Sequence, residues 1–156
     1  MSITINISRA SVLADMKVTS HAEVAALPDD RERYLAELGT EKEPIAHQAI
    51  TDASKDIQAV LRRYLSGLSD SGSPYSDSYD TAETIAYTLD VSPRKAGMGE
   101  PLTKAIHEYI VESALAKFYD RVHRTDFSQV HLARIASPLA TMNSILYRKL
   151  EPTYTT

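Results

Sequence analysis

The stretch TEKEPIAHQAITDASKDIQAVLRRYLSGL, Thr40 to Leu68, decides the fold class. Thr40 and Glu43 stand at capping-box spacing, so that hydroxyl and carboxylate can each satisfy the other's backbone donor. Pro44 is tolerated in a first turn whose amides lack intrahelical partners anyway. Behind them Ala46, Ala49, Ile50, Ala53, Ile57, Val60, Leu61, Tyr64, Leu65 and Leu68 recur at steps of three and four. That spacing puts them on one face and predicts a core helix over 41–66. Gln48, Asp52, Lys55, Asp56, Arg62 and Arg63 form the polar side, and the alanines at 46, 49 and 53 leave room for a neighbouring backbone.

Working toward the N-terminus, Asp29 to Leu38 reads as a brief helix closed by Gly39, a residue that accepts left-handed angles without steric cost. Ser20 and Glu23 read as a second capping box opening a short helix that ends near Pro28. Ser8 suits the N-cap of a helix over 9–18, with Ala10, Leu13, Ala14 and Val18 as its apolar face. Ile3, Ile5 and Ile7 alternate with Ser2, Thr4 and Asn6, the period-two signature of a half-buried strand over 2–7.

Toward the C-terminus, residues 66–82 are rich in Ser, Gly and Asp and read as a flexible loop. Ile85, Tyr87, Leu89 and Val91 alternate with polar or small neighbours and predict a strand over 84–91. This strand can pair with the first one or complete a sheet in a neighbouring subunit, because an isolated pair is marginal in water. A second mobile loop is expected over 92–100. Pro101 then opens a helix over 101–123 whose apolar face includes Leu102, Ile106, Tyr109, Ile110, Ala116 and Tyr119. Val130, Leu132, Ile135, Leu139, Met142, Ile145 and Leu146 continue the helical pattern over 127–149. Ser137-Pro138 predicts a break near Ala136, with Ser137 capping the second segment. Residues 151–156 form a polar tail. The expected fold is mainly α with a minor β part: a bundle of about four helices plus two short strands in a single domain over 1–156.

Composition narrows the function classes. The chain has 156 residues, 43% hydrophobic and 24% charged, as in an ordinary globular protein. No apolar run approaches the ~18 residues of a membrane span, and no basic segment followed by an apolar block opens the chain, so no membrane association or secretory signal is expected. The absence of cysteine removes disulfides, thiolate metal sites and cysteine nucleophiles. Residues 1–92 carry eight Lys/Arg against fifteen Asp/Glu and residues 93–156 nine against six, leaving −7 and +3. An acidic first part does not suit phosphate neutralisation, and +3 is far from a DNA-binding stripe. The two parts could instead meet head to tail between copies.

Catalytic patterns are missing. His21, His47, His107, His123 and His131 include no pair three or four apart, and HExxH, G-x-S-x-G and phosphate-loop motifs do not occur. His107 and Glu108 read as separate surface residues, and Asp29-Asp30 and Asp52/Asp56 as exposed acids. No catalytic residue, metal site or cofactor is therefore assigned. Nine tyrosines and no tryptophan make a skewed aromatic set. Tyr64, Tyr109 and Tyr119 lie on apolar helical faces. Tyr75, Tyr79 and Tyr154 fall in loops or the tail, where tyrosine makes good interface contacts.

The segment Ala49-Ile50-Thr51-Asp52-Ala53-Ser54-Lys55-Asp56-Ile57-Gln58-Ala59-Val60-Leu61-Arg62-Arg63-Tyr64-Leu65 resembles a helix of tailed-phage neck proteins, which typically reads A..DAS..I...L..RY; here a single residue, Arg62, separates Leu61 from Arg63-Tyr64. The helix over Leu102 to Tyr119, a further helix and a short polar tail are similar to their layout, so the resemblance covers residues 40–150. The family is the small head–tail connector (adaptor, or head-completion) proteins of phages and prophages, including the Mu-type neck proteins. The two alternating strands and the longer N-terminal region depart from its simplest all-helical members.

This resemblance implies a structural virion protein rather than an enzyme. It implies a homo-oligomeric ring, commonly a dodecamer, below the portal protein, which extends the DNA channel without sequence-specific binding and meets the next neck or tail component. It also implies partner contacts through the C-terminal segment, Tyr147, Arg148, Lys149, Pro152 and Tyr154, with Tyr75 and Tyr79 as loop contacts. The competing reading is a small helical protein-binding or regulatory module.

Overall fold

The computed structural model describes residues 2–69, 84–91 and 97–147. The fold is mainly α with a minor β part, in the order β1 (Ser2–Ser8), α1 (Arg9–Val24), α2 (Asp30–Ala36), a 3-10 turn (Thr40–Lys42), α3 (Glu43–Leu61), β2 (Leu65–Ser69), β3 (Thr84–Asp90), α4 (Gly99–Arg121), α5 (Thr125–Arg134) and α6 (Ala136–Tyr147). The two anticipated strands pair with each other: β1 runs antiparallel to β3, with Ile3 opposite Leu89, Ile5 opposite Tyr87 and Ile7 opposite Ile85. Ile5, Ile7, Ile85, Tyr87 and Leu89 are buried, as period-two alternation requires.

A third strand was not legible. β2 pairs with the other side of β3 in the order β1-β3-β2, and a register shift lies between Leu65 and Gly67. The helix expected over 41–66 therefore stops at Leu61, and the loop expected from residue 66 begins as strand. Tyr64, Leu65 and Leu68 satisfy helical spacing, but Gly67 costs about 1 kcal/mol in a helix, and β3 offers an open ladder that starts with the Asp90 amide on the Tyr64 carbonyl at 2.7 Å.

α4 is the axis of the molecule. It packs against α1, α3, α5, α6 and β1. Leu102, Ile106, Ile110, Ala114, Leu115, Phe118 and Tyr119 are all buried, so a helix read with one apolar face is buried around most of its girth. It ends in a Schellman arrangement: the Arg124 amide donates to the Tyr119 carbonyl at 2.8 Å and the His123 amide to the Asp120 carbonyl at 3.3 Å. His123 occupies the left-handed position at φ 62°, where glycine is usual. α3 lies alongside, and Ile50, Ala53, Ile57 and Leu61 enter the same core.

α1 departs most from expectation. Ser8 caps it as anticipated, accepting from the Ser11 amide at 3.3 Å. The helix then runs unbroken to Val24, so the Ser20/Glu23 box is not a helix start. Ser20 is buried instead, and its hydroxyl accepts from the Leu38 amide at 3.0 Å. The buried face is Arg9, Val12, Met16, Ser20 and Val24, while Ala10, Ala14 and Val18 face solvent and Leu13 is half-buried. Gly39 is extended rather than left-handed, and neither the 3-10 turn nor α3 has a side-chain cap.

The break between α5 and α6 falls at Ile135, one residue before the expected place. Pro138 lacks the amide that would bond to the Arg134 carbonyl, and its ring would clash there, so the helix is interrupted one turn upstream. Ser137 lies inside α6 rather than capping it; its carbonyl accepts from the Thr141 hydroxyl at 3.2 Å. Val130 and Leu132, assigned to an apolar face, are exposed.

Candidate functional site

Three helices bring together the polar residues that sequence reading kept apart. α1 contributes Asp15, which meets His107 of α4, and, two turns on, Glu23, which meets α5; α4 also contributes Glu112, and α5 His131 and Arg134. His131 is 0% exposed. Its Nδ1 lies 2.5 Å from a Glu112 oxygen and its Nε2 2.7 Å from Glu23 Oε1. The Nε2 contact is close but misaligned for a hydrogen bond. The imidazole stacks on Tyr119, with ring centroids 5.6 Å apart and planes 14° apart. Burial, before any charge effect, pushes the Tyr119 hydroxyl up to about 12. Arg134 stands 4.0 Å from Glu23 Oε1 at the rim. One buried ring thus ties α1, α4 and α5 together.

Above this cluster lies a groove of about 650 Å³. Val18, Val111, Ala133 and Ala136 supply its apolar wall, and His107, Asp15, Glu112 and Arg134 its polar edge. His107 Nε2 is 2.6 Å from Asp15 Oδ2, across 92 positions of sequence. His107 is therefore not the isolated surface residue expected. Asp15 and His107 pair with each other, and Glu112 and Arg134 are engaged by the cluster below, while Glu108 adds a further carboxylate to the lining. A second cleft of about 440 Å³ is lined by Leu35, Val122, His123, Arg124, Glu32 and Lys42, beside the exposed Tyr34.

Ion pairs also join α3 to α4: Asp52 meets Arg121 at 2.7 Å and Asp56 meets Lys117 at 2.8 Å. Asp56 is exposed, as expected, and Asp52 half-buried, and both pair with the neighbouring helix. Beside Asp52, Thr51 of α3 accepts at Oγ1 from Nη2 of Arg9 in α1 at 2.9 Å, and Arg9 is 2% exposed. Its positive charge adds to burial, the larger cause, in lowering the His47 pKa. Lys17 pairs with Glu43 and holds that carboxyl below the usual range. Lys42 donates to the Tyr34, Leu35 and Glu37 carbonyls at 2.6, 2.7 and 2.9 Å, closing the α2 end.

Sequence reading missed His131, Glu112, Glu23 and Arg9, since nothing in their spacing marks contacts between helices. Among the described residues no group of three or more His, Asp or Glu is placed to hold a metal ion. Of the anticipated partner contacts, Tyr75, Tyr79, Arg148, Lys149, Pro152 and Tyr154 lie outside the described residues, and Tyr147 is described only as the last residue of α6. A scan against protein-family models matches none, and searches of curated proteins and of solved structures return no significant match.

Proposed function

We propose that this chain is a structural subunit of a tailed-phage neck, a head–tail connector that assembles as a ring below the portal and joins head to tail in the virion. The observation that carries the reading is the pair of separate clefts, one beside Val18 and one beside Leu35, each with an apolar wall and a charged edge and lined by different residues. A closed ring needs two different complementary surfaces on each subunit. The segment that resembles neck proteins is consistent with a scaffold role: Ala49, Ala53, Ile57 and Leu61 are core, Asp52 pairs with α4, and the Tyr64 hydroxyl donates to the Leu146 carbonyl of α6 at 2.8 Å.

In this reading the portal protein is met by the C-terminal segment from Tyr147 through Tyr154, with Tyr75 and Tyr79 as further contacts, and DNA passes through the lumen without sequence-specific recognition. A Pro/Tyr segment suits extended binding along another protein's surface. The test is to add the full chain, and a form lacking residues 150–156, to portal-bearing capsids and image them by negative stain. The full chain should appear as a ring at the portal vertex, and the truncated form should fold yet leave the vertex bare. Absence of the full chain from that vertex would overturn the reading. The groove over His131 favours one second reading, a binding module that seats a helix of another protein; a chain that stays monomeric and ignores capsids would support it.

A further inference from the structure

The two outer strands of the sheet differ in how their edges are protected. β2 carries a register shift between Leu65 and Gly67, an irregularity of the kind that twists an edge away from unwanted pairing. β1 has none: its register with β3 is continuous from Ser2 to Ser8. It holds no charge, proline or glycine in seven residues, and among the described residues no strand pairs with its outer edge. Alternate backbone N–H and C=O groups of a strand point to that side, so a row of donors and acceptors without a strand partner among the described residues is available for pairing.

The sequence of β1 states what it can pair with. Ser2-Ile3-Thr4-Ile5-Asn6-Ile7-Ser8 reads nearly the same in both directions about Ile5. We infer that β1 is a self-complementary edge, and that two copies of this chain join antiparallel through it about a two-fold axis at Ile5. That register sets Ile3 against Ile7 of the second copy, Thr4 against Asn6, Ser2 against Ser8, and Ile5 against itself. Residues directly opposite share a sheet face, so the isoleucines stay on the core side, where Ile5 and Ile7 are buried. Thr4 and Asn6, both exposed, meet on the other side as a polar pair. A one-residue slip would oppose isoleucine to threonine or asparagine across the faces, which is why the register is specific. The product is a six-stranded sheet in the order β2-β3-β1-β1-β3-β2, closed by an isologous contact.

This inference stands apart from the connector reading: a ring would have to be closed by other surfaces, and the experiment needs no portal. Light scattering after size exclusion should give the full chain a dimer mass, or a multiple of it, that falls to monomer on dilution. Thr4→Lys/Asn6→Lys places like charges opposite each other twice per dimer and should raise the dissociation constant roughly tenfold or more. Thr4→Lys/Asn6→Glu places opposite charges there and should keep the dimer. A full chain that is monomeric at every concentration, or a dimer that Thr4→Lys/Asn6→Lys leaves unchanged, would overturn the inference. Should that variant unfold by circular dichroism, amide exchange of the unaltered chain decides: protection over residues 2–8 that rises with concentration supports the pairing, and equal protection throughout refutes it.

Discussion

Helices α1 and α3 both show apolar residues at three- and four-residue steps, yet only in α3 does that stripe face the core. Ile50, Ala53, Ile57 and Leu61 are buried along α3, whereas Ala10, Ala14 and Val18 of α1 look outward and Val18 is 70% exposed. The side of α1 that packs inward mixes Val12, Met16 and Val24 with Arg9 and Ser20. α1 is oriented by polar contacts, each to a different part of the chain: Arg9 to Thr51, Lys17 to Glu43, Asp15 to His107, Ser20 to the Leu38 amide and Glu23 to His131. Where large aliphatic side chains dominate a stripe, burial area decides the face. Where the stripe is two alanines, one leucine and one valine, a few directed contacts outweigh it, and only Leu13 of the four packs partly against the core.

The largest effect that tests this contrast is in α3. Ile57→Ala or Leu61→Ala should each lower the unfolding free energy by about 2–5 kcal/mol in urea titrations, because each empties a fully enclosed site. A loss under ~1 kcal/mol would mean that the α3 stripe is no more decisive than that of α1.

Next comes the tie between α1 and the C-terminal helices. His131→Leu should cost about 3 kcal/mol, since it leaves the part-buried Glu23 and Glu112 carboxylates without their shared partner. Adding Glu23→Gln and Glu112→Gln to that variant should restore much of the loss, as expected when uncompensated charge is the cause. If the triple variant is no better than the single one, packing on Tyr119 rather than charge holds the cluster.

A smaller, pH-dependent effect is expected where α1 crosses α3. The His47 pKa is lowered by burial first and by Arg9 next, so the folded chain binds fewer protons there than the unfolded chain near pH 6.5. Stability from this group is complete above the unfolded value and declines as pH falls from it toward the depressed folded value. Urea midpoints should therefore drop between pH 7.5 and 5.5, and His47→Gln should flatten that slope. The lowered Glu43 carboxyl acts in the same direction but further into acid, below its ordinary range near 4.5.

The smallest effect on folding is at Val18. Val18→Ser should change stability by no more than ~0.5 kcal/mol, because the side chain is already in water. In the connector reading the same change weakens subunit association, measured by sedimentation. A large loss of stability would place Val18 in the core and remove the contrast between the two helices.

Local pattern carried far in some elements. The alternation of Ile3, Ile5 and Ile7 and of Ile85, Tyr87 and Leu89 is found as paired, one-sided strands, and the broad spans of α3 and α4 follow their heptad-like spacing. Pro138 marks the α5–α6 break to within one residue. The candidate site was far less legible: Glu23 looked like half of a capping box, His131 like a lone histidine, and nothing in the local pattern marked Glu112. Their meeting depends on how three helices cross, over separations of 108 and 19 positions between His131 and the two acids.

Periodicity and composition alone therefore settled the balance of helix and strand, the two main apolar helices and the missing cysteine chemistry, because these depend on spacing within one element. Tertiary structure alone decided that residues 65–69 pair with β3 rather than ending a helix and opening a loop, that α1 turns Arg9 and Ser20 inward and Val18 outward, and that His131 sits between two acids. Each of those outcomes is a competition between a weak local preference and a partner distant in sequence. A preference of about 1 kcal/mol yields when the partner offers a backbone ladder or a buried charge contact.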